Sequence, residues 1–340
     1  MNCYIAGTGV FLPARVVTNA ELAPLLGVTP ELIEDRSGIR ERRWAAAEQS
    51  ASDLAASALG SALVDAGLEA HELDYLIGCT LSPDYQVPGI APIVQRKVAG
   101  CRPVPAVDLR VGCAAILYGL QLARGLIESG AARRVGCFGA EAQSKGLDLS
   151  ARSAEVTMLF GDGAGAMIVS GAPGPARGLE VIDVLIASDG AYAEELVVRA
   201  PGSANGQHWL APDVLSSGRC YPSMNGRSVI LHAVRKLAEA AEEITSRNGI
   251  AAQEVDVIVP HQANANLLRS LAARLSVPAA RVIVNVDRYG NTSGASAFLA
   301  LDRARAEGRV RAGAWVLILA FGAGFTWGAA LCRGLDGEGG

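Results

Sequence analysis

Three side chains are of types that could share one piece of chemistry: Cys113, His261 and Asn291. Cys113 follows Gly112, where a strand pattern gives way to an Ala/Leu-rich helix pattern. Free N–H groups and the macrodipole at a helix start stabilise a thiolate, so its pKa is expected to fall. His261 follows the apolar run at residues 255–259 and lies in Pro260-His261-Gln262-Ala263-Asn264. The C-terminal end of a buried strand is where α/β proteins place ligands. Asn291 opens a further helix start, Gly290-Asn291-Thr292-Ser293-Gly294. The other cysteines (Cys3, Cys79, Cys101, Cys137, Cys220 and Cys332) read as small core residues.

A Cys, a His and an Asn support two arrangements. In a hydrolase, His activates the thiol and Asn orients His. Alternatively, His and Asn both donate to one substrate oxygen, an oxyanion hole for an enolate. Asn291 stands on a helix start equivalent to that of Cys113, which favours the second. The main-chain N–H of Cys113 and that of Ala323, in the turn Gly322-Ala323-Gly324, would supply a second oxyanion hole. Gly161-Asp162-Gly163-Ala164-Gly165-Ala166 suggests a phosphate loop, but it runs into the strand-like Met167-Ile168-Val169 where such a loop needs a helix. No GxSxG elbow and no HExxH metal motif occurs, so no metal is expected.

The elements that must position these residues occur twice. Gly67-Leu68-Glu69-Ala70-His71-Glu72-Leu73-Asp74-Tyr75-Leu76-Ile77 reads as a helix end, a turn and a buried strand; Gly249 to Val259 repeats that grammar 182 residues later. Long amphipathic helices precede both copies, at about 53–65 and 228–247. Val107-Asp108 before Gly112-Cys113 pairs with Val286-Asp287 before Gly290-Asn291. Phe160-Gly161-Asp162-Gly163 and its following strand pair with Phe321-Gly322-Ala323-Gly324 and its closing strand. Three matches in one order predict an α/β protein of duplicated βαβ halves, with parallel or mixed sheets covered by helices about a pseudo-two-fold axis. The expected boundaries are a first half at 1–171 with Cys113, a loop-rich connection at 172–222, and a second half at 223–334 with His261 and Asn291. The duplication would gather Cys113 opposite Asn291, and Cys79 opposite His261, at the axis.

Composition narrows the function class. Of 340 residues, 50% are apolar and 19% charged, with a net charge of −4. That excludes a disordered chain and lacks the basic stripe of a nucleic-acid binder. Seven cysteines without a CxxC pair suit a reducing cytoplasm better than a disulfide framework. The 21 uncharged residues at 312–332 are long enough for a membrane span, but the Phe321-Gly322-Ala323-Gly324 punctuation divides them into two strands around a turn. The N-terminus lacks the pattern of a signal peptide, and the Gly- and acid-rich tail at 334–340 is expected to fray. The chain is thus expected to be cytoplasmic, with neither a membrane nor a nucleic acid as partner.

At these residues the chain resembles β-ketoacyl-acyl-carrier-protein synthase III of the thiolase superfamily. The resemblance covers nearly the whole chain. It rests on Asp35-Arg36-Ser37-Gly38-Ile39-Arg40-Glu41-Arg42, Cys113, Phe160-Gly161-Asp162-Gly163-Ala164-Gly165-Ala166, Pro260-His261-Gln262-Ala263-Asn264, Gly290-Asn291-Thr292-Ser293 and Phe321-Gly322-Ala323-Gly324-Phe325-Thr326-Trp327-Gly328. Within the family, Thr80-Leu81-Ser82-Pro83-Asp84, Leu117-Tyr118-Gly119-Leu120-Gln121 and Ala200-Pro201-Gly202-Ser203 are similar to the synthase that makes 2-aminobenzoylacetyl thioester for alkylquinolones.

The resemblance implies a thiolase-like fold and a homodimer. It also implies a two-step acyltransferase reaction: Cys113 takes an acyl group from acyl-CoA, and a malonyl thioester on CoA or acyl carrier protein then condenses with it, losing CO2. His261 and Asn291 would stabilise the enolate. No cofactor is implied, coenzyme A thioesters being substrates, and the setting is fatty-acid initiation or secondary metabolism. The implied CoA and acyl contacts are Leu32, Arg36, Arg40, Arg152, Asn264, Phe321 and Val87. Leu32 stands where the family commonly stacks a Trp on adenine, and Val87 where many members place a bulky Phe reaching across the dimer. The alternatives are an acyltransferase of the same fold delivering to a hydroxyl or amine, and a cysteine thioesterase.

Overall fold

The computed structural model describes residues 2–174, 178–204 and 208–335. The short apolar runs become nine strands of one mixed sheet: β1 Tyr4–Phe11, β2 Tyr75–Cys79, β3 Ala106–Leu109, β4 Arg134–Glu141, β5 Gly163–Ser170, β6 Leu179–Ser188, β7 Val257–Pro260, β8 Trp315–Gly322 and β9 Thr326–Gly334. Their spatial order is β7-β8-β9-β6-β1-β5-β4-β2-β3. Read outward from the centre, β1-β5-β4-β2 on one side mirrors β6-β9-β8-β7 on the other. In both copies the two innermost neighbouring pairs are antiparallel and the next is parallel. The duplication is therefore real at the level of pairing.

The helices fall into three groups. α1 Ala51–Ala66 and α2 Ile90–Lys97 cover the outer face of the first half. Two further helices, α3 Ala115–Glu128 and α6 Ser296–Ala306, pack together in a central core with strands of both halves. α4 Gly226–Arg247 and α5 Ala265–Arg274 cover the second half. Strands buried on both faces need continuous apolar sequence, as β5 shows: Gly163–Ser170 is buried at every position. Helix α1 begins at a capping box, where Ser50 N–H donates to Asp53 Oδ2 at 2.8 Å, and ends at Gly67 with φ of 65°.

Four expectations change. The two sheets are one, because β1 and β6 meet through Tyr4↔Glu180 and Ile5↔Leu179. The stretch at 172–222 is not all connection. It contains β6, the first strand of the second half, whose mixed burial left no continuous apolar run to read. Val286-Asp287 belongs to a one-turn helix, Val286–Tyr289, and the edge place opposite β3 is held by the single bridge Ile258↔Val282. Finally, the repeat partner of Cys113 is Gly294, not Asn291. Gly112 (φ 53°) and Ser293 (φ 44°) share the left-handed backbone that opens the short turns Gly112–Ala114 and Ser293–Ala295. Cys79 does occupy the place of His261, since Leu76 and Ile258, three residues earlier, each bridge to the edge of their half.

The uncharged run at 312–332 falls in the hairpin β8–β9. Among the described residues, no helix is long and apolar enough to cross a membrane. Of the tail expected to fray, Gly334 ends β9, while residues 336–340 lie outside the described residues.

Candidate active site

Cys113, His261 and Asn291 line one cavity of about 80 Å³, walled by apolar side chains including Phe160, Leu237 and Phe321. Cys113 comes from the first half, the other two from the second. All three are buried.

Each is fixed by a different local device. Cys113 sits in the turn that α3 extends, and its Sγ lies 3.6 Å from Ser293 Oγ. Gly322 ends β8 hard against it: a Cβ at 322 would stand 3.1 Å from Cys113 N and 3.2 Å from Cys113 Cβ. Only glycine leaves that approach open. His261 donates its main-chain N–H to Leu319 O at 2.7 Å, which aligns it with β8. Its Nδ1 bonds Ser296 Oγ. That oxygen also accepts from Gln262 N–H at 3.2 Å; assigning its own proton to Nδ1 puts the imidazole proton on Nε2. Asn291 Oδ1 accepts from Ser293 N–H at 2.8 Å, so Nδ2 is its remaining polar group. With that assignment both side chains have an acceptor occupied and an N–H to spare.

Electrostatics follow from burial. Desolvation pushes the His261 imidazole down to about 3, so it is neutral. The Cys113 thiol, expected to be lowered by its helix start, is instead pushed up to about 12 by burial. Desolvation outweighs the helix start here, and the resting pair is a neutral thiol beside a neutral imidazole. A papain-like thiolate–imidazolium pair would need the opposite shifts.

The other predicted residues are placed unevenly. Phe321 and Asn264 line the Cys113 cavity. Asn264 is also the cap of α5, with Oδ1 accepting from Asn266 N–H at 2.7 Å and Nδ2 donating to Arg36 O at 2.9 Å. Ala323 borders a second cavity, also reached by Cys113. Leu32 and Arg36 lie one turn apart on the helix Pro30–Ser37. Each arginine expected to contact CoA already holds a carboxylate: Arg36 and Arg40, expected at the phosphates, hold Glu155 at 3.0 Å and Asp287 at 2.6 Å, and Arg152, expected against the adenine, holds Asp148 at 2.7 Å. Only the Arg36–Glu155 pair is exposed on both sides, the kind that holds by ~0–1 kcal/mol; Asp148 is buried and Asp287 partly so. Arg152 lies 5.8 Å from the ring of Tyr221, an aromatic neighbour of its own. Val87 is 84% exposed and lines neither cavity.

Sequence reasoning missed Ser296 as the partner of His261, and it missed Glu141. Glu141 is fully buried and accepts from Leu81 N–H at 3.1 Å, Ser82 Oγ at 2.8 Å and Gly294 N–H at 3.3 Å. Burial pushes its carboxyl up to about 7. One signal was available: it is the only acid in the apolar run at 135–142. Among the described residues, no group of His, Cys, Asp and Glu is arranged to hold a metal.

The chain is similar to known proteins over nearly its whole length. The family description "3-Oxoacyl-[acyl-carrier-protein (ACP)] synthase III" matches residues 107–199, and its C-terminal counterpart matches 245–334. A β-ketoacyl-[acyl-carrier-protein] synthase III from Rhodobacter capsulatus is 41% identical over 337 residues, covering 98% of this chain and 99% of that protein. One from Oleidesulfovibrio alaskensis is 38% identical over 330 residues, covering 97% and 98%. The crystal structure of 3-oxoacyl-[acyl-carrier-protein] synthase III from Aquifex aeolicus superposes with a TM-score of 0.84 at 36% identity, covering 98% of this chain and 100% of that one.

Proposed function

The chain belongs to the 3-oxoacyl-[acyl-carrier-protein] synthase III family of condensing enzymes, and from that premise we propose how its own residues divide the reaction. In the first step the Cys113 thiol attacks an acyl-CoA. The new C–S bond forms on Cys113 as the bond to CoA breaks, and the thiol proton leaves with the CoA thiol. A thioester is a ready donor to a sulfur nucleophile. Coupling proton loss to the attack suits a thiol that burial keeps protonated at rest.

In the second step a malonyl thioester occupies the cavity bordered by His261 and Asn291. Its C–C bond to the carboxylate breaks, CO2 leaves, and the electron pair becomes an enolate. Two neutral N–H donors, His261 Nε2 and Asn291 Nδ2, hold the enolate oxygen. The carbanion attacks the acyl carbonyl on Cys113, whose oxyanion meets the main-chain N–H groups of Cys113 and Ala323. Cys113 departs and regains a proton, leaving a β-ketoacyl thioester. One observation carries this reading: His261 Nδ1 bonds Ser296 and Asn291 Oδ1 bonds Ser293, both within their own half, beside the cavity that holds the nucleophile of the other.

Acyl-CoA would approach past Leu32, Arg36, Arg40 and Arg152, with Asn264 and Phe321 at the inner end. The malonyl group arrives on CoA or on acyl carrier protein. The enzyme works in the cytoplasm as a homodimer, a reading supported by exposed Tyr85, Val87 and Val107 around the edge strand β3. An unpaired edge with apolar neighbours is where a second copy continues a sheet.

Intact mass spectrometry after incubation with acetyl-, hexanoyl- and 2-aminobenzoyl-CoA tests the first step. The expected result is one acyl mass on Cys113, absent in Cys113→Ala. Release of CO2 from malonyl thioester by the acylated enzyme tests the second. Acyl transfer without CO2 release would overturn the condensing role.

A further inference from the structure

Beside the nucleophile, and outside the steps above, stands a buried carboxyl. Glu141 ends β4, is fully buried and lines neither cavity that Cys113 reaches. Its hydrogen-bond donors are neutral groups: Leu81 N–H at 3.1 Å, Ser82 Oγ at 2.8 Å, and Gln143 Nε2 and Gly294 N–H at 3.3 Å. Those donors favour the carboxylate, but desolvation outweighs them and lifts the carboxyl from 4.5 to about 7. A group that must take up a proton and return it at neutral pH works best there.

Ser293 joins this carboxyl to the thiol. The Cys113 S–H donates to Ser293 Oγ at 3.6 Å, and the Ser293 hydroxyl also bonds the Glu141 carboxyl. Gly294, whose N–H holds Glu141 Oε1, is the next residue in the chain. His261 offers no rival base, because its Nδ1 is bonded to Ser296 and its proton lies on Nε2. The other titratable groups on elements packed against Glu141 are Cys79 at the end of β2 and Asp162 just before β5. Burial keeps the Cys79 thiol protonated, and Asp162 accepts from Ala45 N–H at 2.7 Å and Ser144 N–H at 2.8 Å.

Resting on the condensing reading above, we propose that Glu141, acting through the Ser293 hydroxyl, holds the Cys113 proton while sulfur is bonding to carbon. As Sγ attacks the acyl-CoA carbonyl, its proton passes to Ser293 Oγ and the serine's own proton moves to Glu141. When the bond to CoA breaks, Glu141 returns its proton to Ser293. Ser293 then passes one to the CoA sulfur, which in the tetrahedral intermediate shares a carbon with Sγ. The condensation as a whole takes up one proton from water. On this path it enters by the second cavity, which Ser293 and Gln143 line, and sits on Glu141 until Cys113 departs as a thiolate and recovers it through Ser293. Ser293 touches the reacting sulfur; Glu141 is a positioning residue that acts behind it.

The test is the pH profile of the first step alone. Loading of Cys113 is followed by rapid quench and intact mass spectrometry from about pH 5.5 to 8.5, at saturating concentration of whichever of acetyl-, hexanoyl- or 2-aminobenzoyl-CoA loads fastest. The wild-type rate is expected to fall about tenfold per pH unit below about 7 and to level off above it, following the ionised carboxylate. Glu141→Gln keeps the shape of the side chain but loses the base. Loading at pH 8 should drop by about 10²-fold, and the bend near 7 should vanish, leaving the even rise of a bare thiolate. Ser293→Ala cuts the path with the carboxyl and its other donors in place, and should remove the same bend. A merely structural role would lower the rate at every pH and keep the bend, so a bend retained in either variant overturns the proposal. If Glu141→Gln loses its far-UV circular dichroism, Ser293→Ala decides alone. Wild-type loading that rises evenly through pH 7 also overturns the proposal and leaves the condensing reading intact. If the wild type acquires no acyl mass at any pH, the condensing reading itself fails.

Discussion

At the centre of the molecule each half ends a strand against the helix start of the other, and the two crossings differ in chemistry. β8 ends at Gly322 beside Cys113, and β4 ends at Glu141 beside Gly294. Strand register makes Glu141 and Gly322 equivalent, since Leu76 pairs with Gly136 as Ile258 pairs with Leu317. The matching turns make Cys113 and Gly294 equivalent. Each crossing therefore joins one glycine to one functional side chain, with the roles exchanged. Where the strand gives up its side chain, a nucleophile fits on the turn. Where the turn gives up its side chain, a buried carboxylate fits on the strand and ties down Leu81, Ser82 and Gly294. Duplication supplied one backbone twice; the side chains made one crossing a reaction centre and the other a strut.

The largest way to break this contrast is Cys113→Ala, which removes the only nucleophile of the pair. All covalent loading by acyl-CoA should vanish in the mass spectrum while the far-UV circular dichroism is kept. Next come His261→Ala and Asn291→Ala. Removing one oxyanion-hole donor costs ~10²–10³ in rate, so condensation should fall by that factor while Cys113 still acquires the acyl mass. If either variant stayed folded yet failed to acylate, the division of labour between the halves would be wrong. Gly322→Ala should act more weakly. A methyl 3.1 Å from Cys113 N must push the nucleophile aside, and such misplacement lowers loading by ~10- to 100-fold. Loading at the wild-type rate in Gly322→Ala would show that the close approach is not required.

The reaction side of this contrast was more legible in the sequence than the structural side. Cys113, His261 and Asn291 stand at strand ends and helix starts, which short-range patterns reveal, and their repeat made one site from three weak signals. The repeat partner was misjudged because motif spelling aligned Gly290-Asn291 with Gly112-Cys113, whereas the shared left-handed backbone lies at Gly112 and Ser293. β6 was hidden because Leu-Glu-Val-Ile-Asp-Val mixes half-buried charges with apolar residues in a Pro- and Gly-rich neighbourhood. The raised thiol pKa was hidden for a different reason. A helix start is local, but desolvation depends on what covers the turn, and β8 from the other half does that. Glu141 shares this limit: one charge near a strand end says nothing of whether tertiary packing closes over it.

The smallest expected effect sharpens the comparison most, because the reaction centre, which includes His261, and the strut at Glu141 impose opposite pH dependence on stability. His261, held down to about 3 from an ordinary 6.5, binds fewer protons folded than unfolded between those values. Its linkage makes stability rise with pH up to about 6.5, and the contribution is lost as pH falls toward 3. Glu141, pushed up to about 7 from an ordinary 4.5, binds more protons folded than unfolded in that window. Its linkage makes stability fall as pH rises from about 4.5 to 7. Each slope approaches ~1.4 kcal/mol per pH unit, so between pH 5 and 6.5 they oppose and largely cancel. Replacing one partner should unmask the other. Urea unfolding of His261→Asn should show stability dropping by about 1–2 kcal/mol from pH 5 to 6.5 relative to wild type, and Glu141→Gln should show a rise of similar size. Because each variant is compared with itself at two pH values, its fixed loss of packing or hydrogen bonds drops out. Parallel profiles for wild type and both variants would mean that neither burial persists in solution, and the contrast between a dry reaction centre and a dry strut would fail with it.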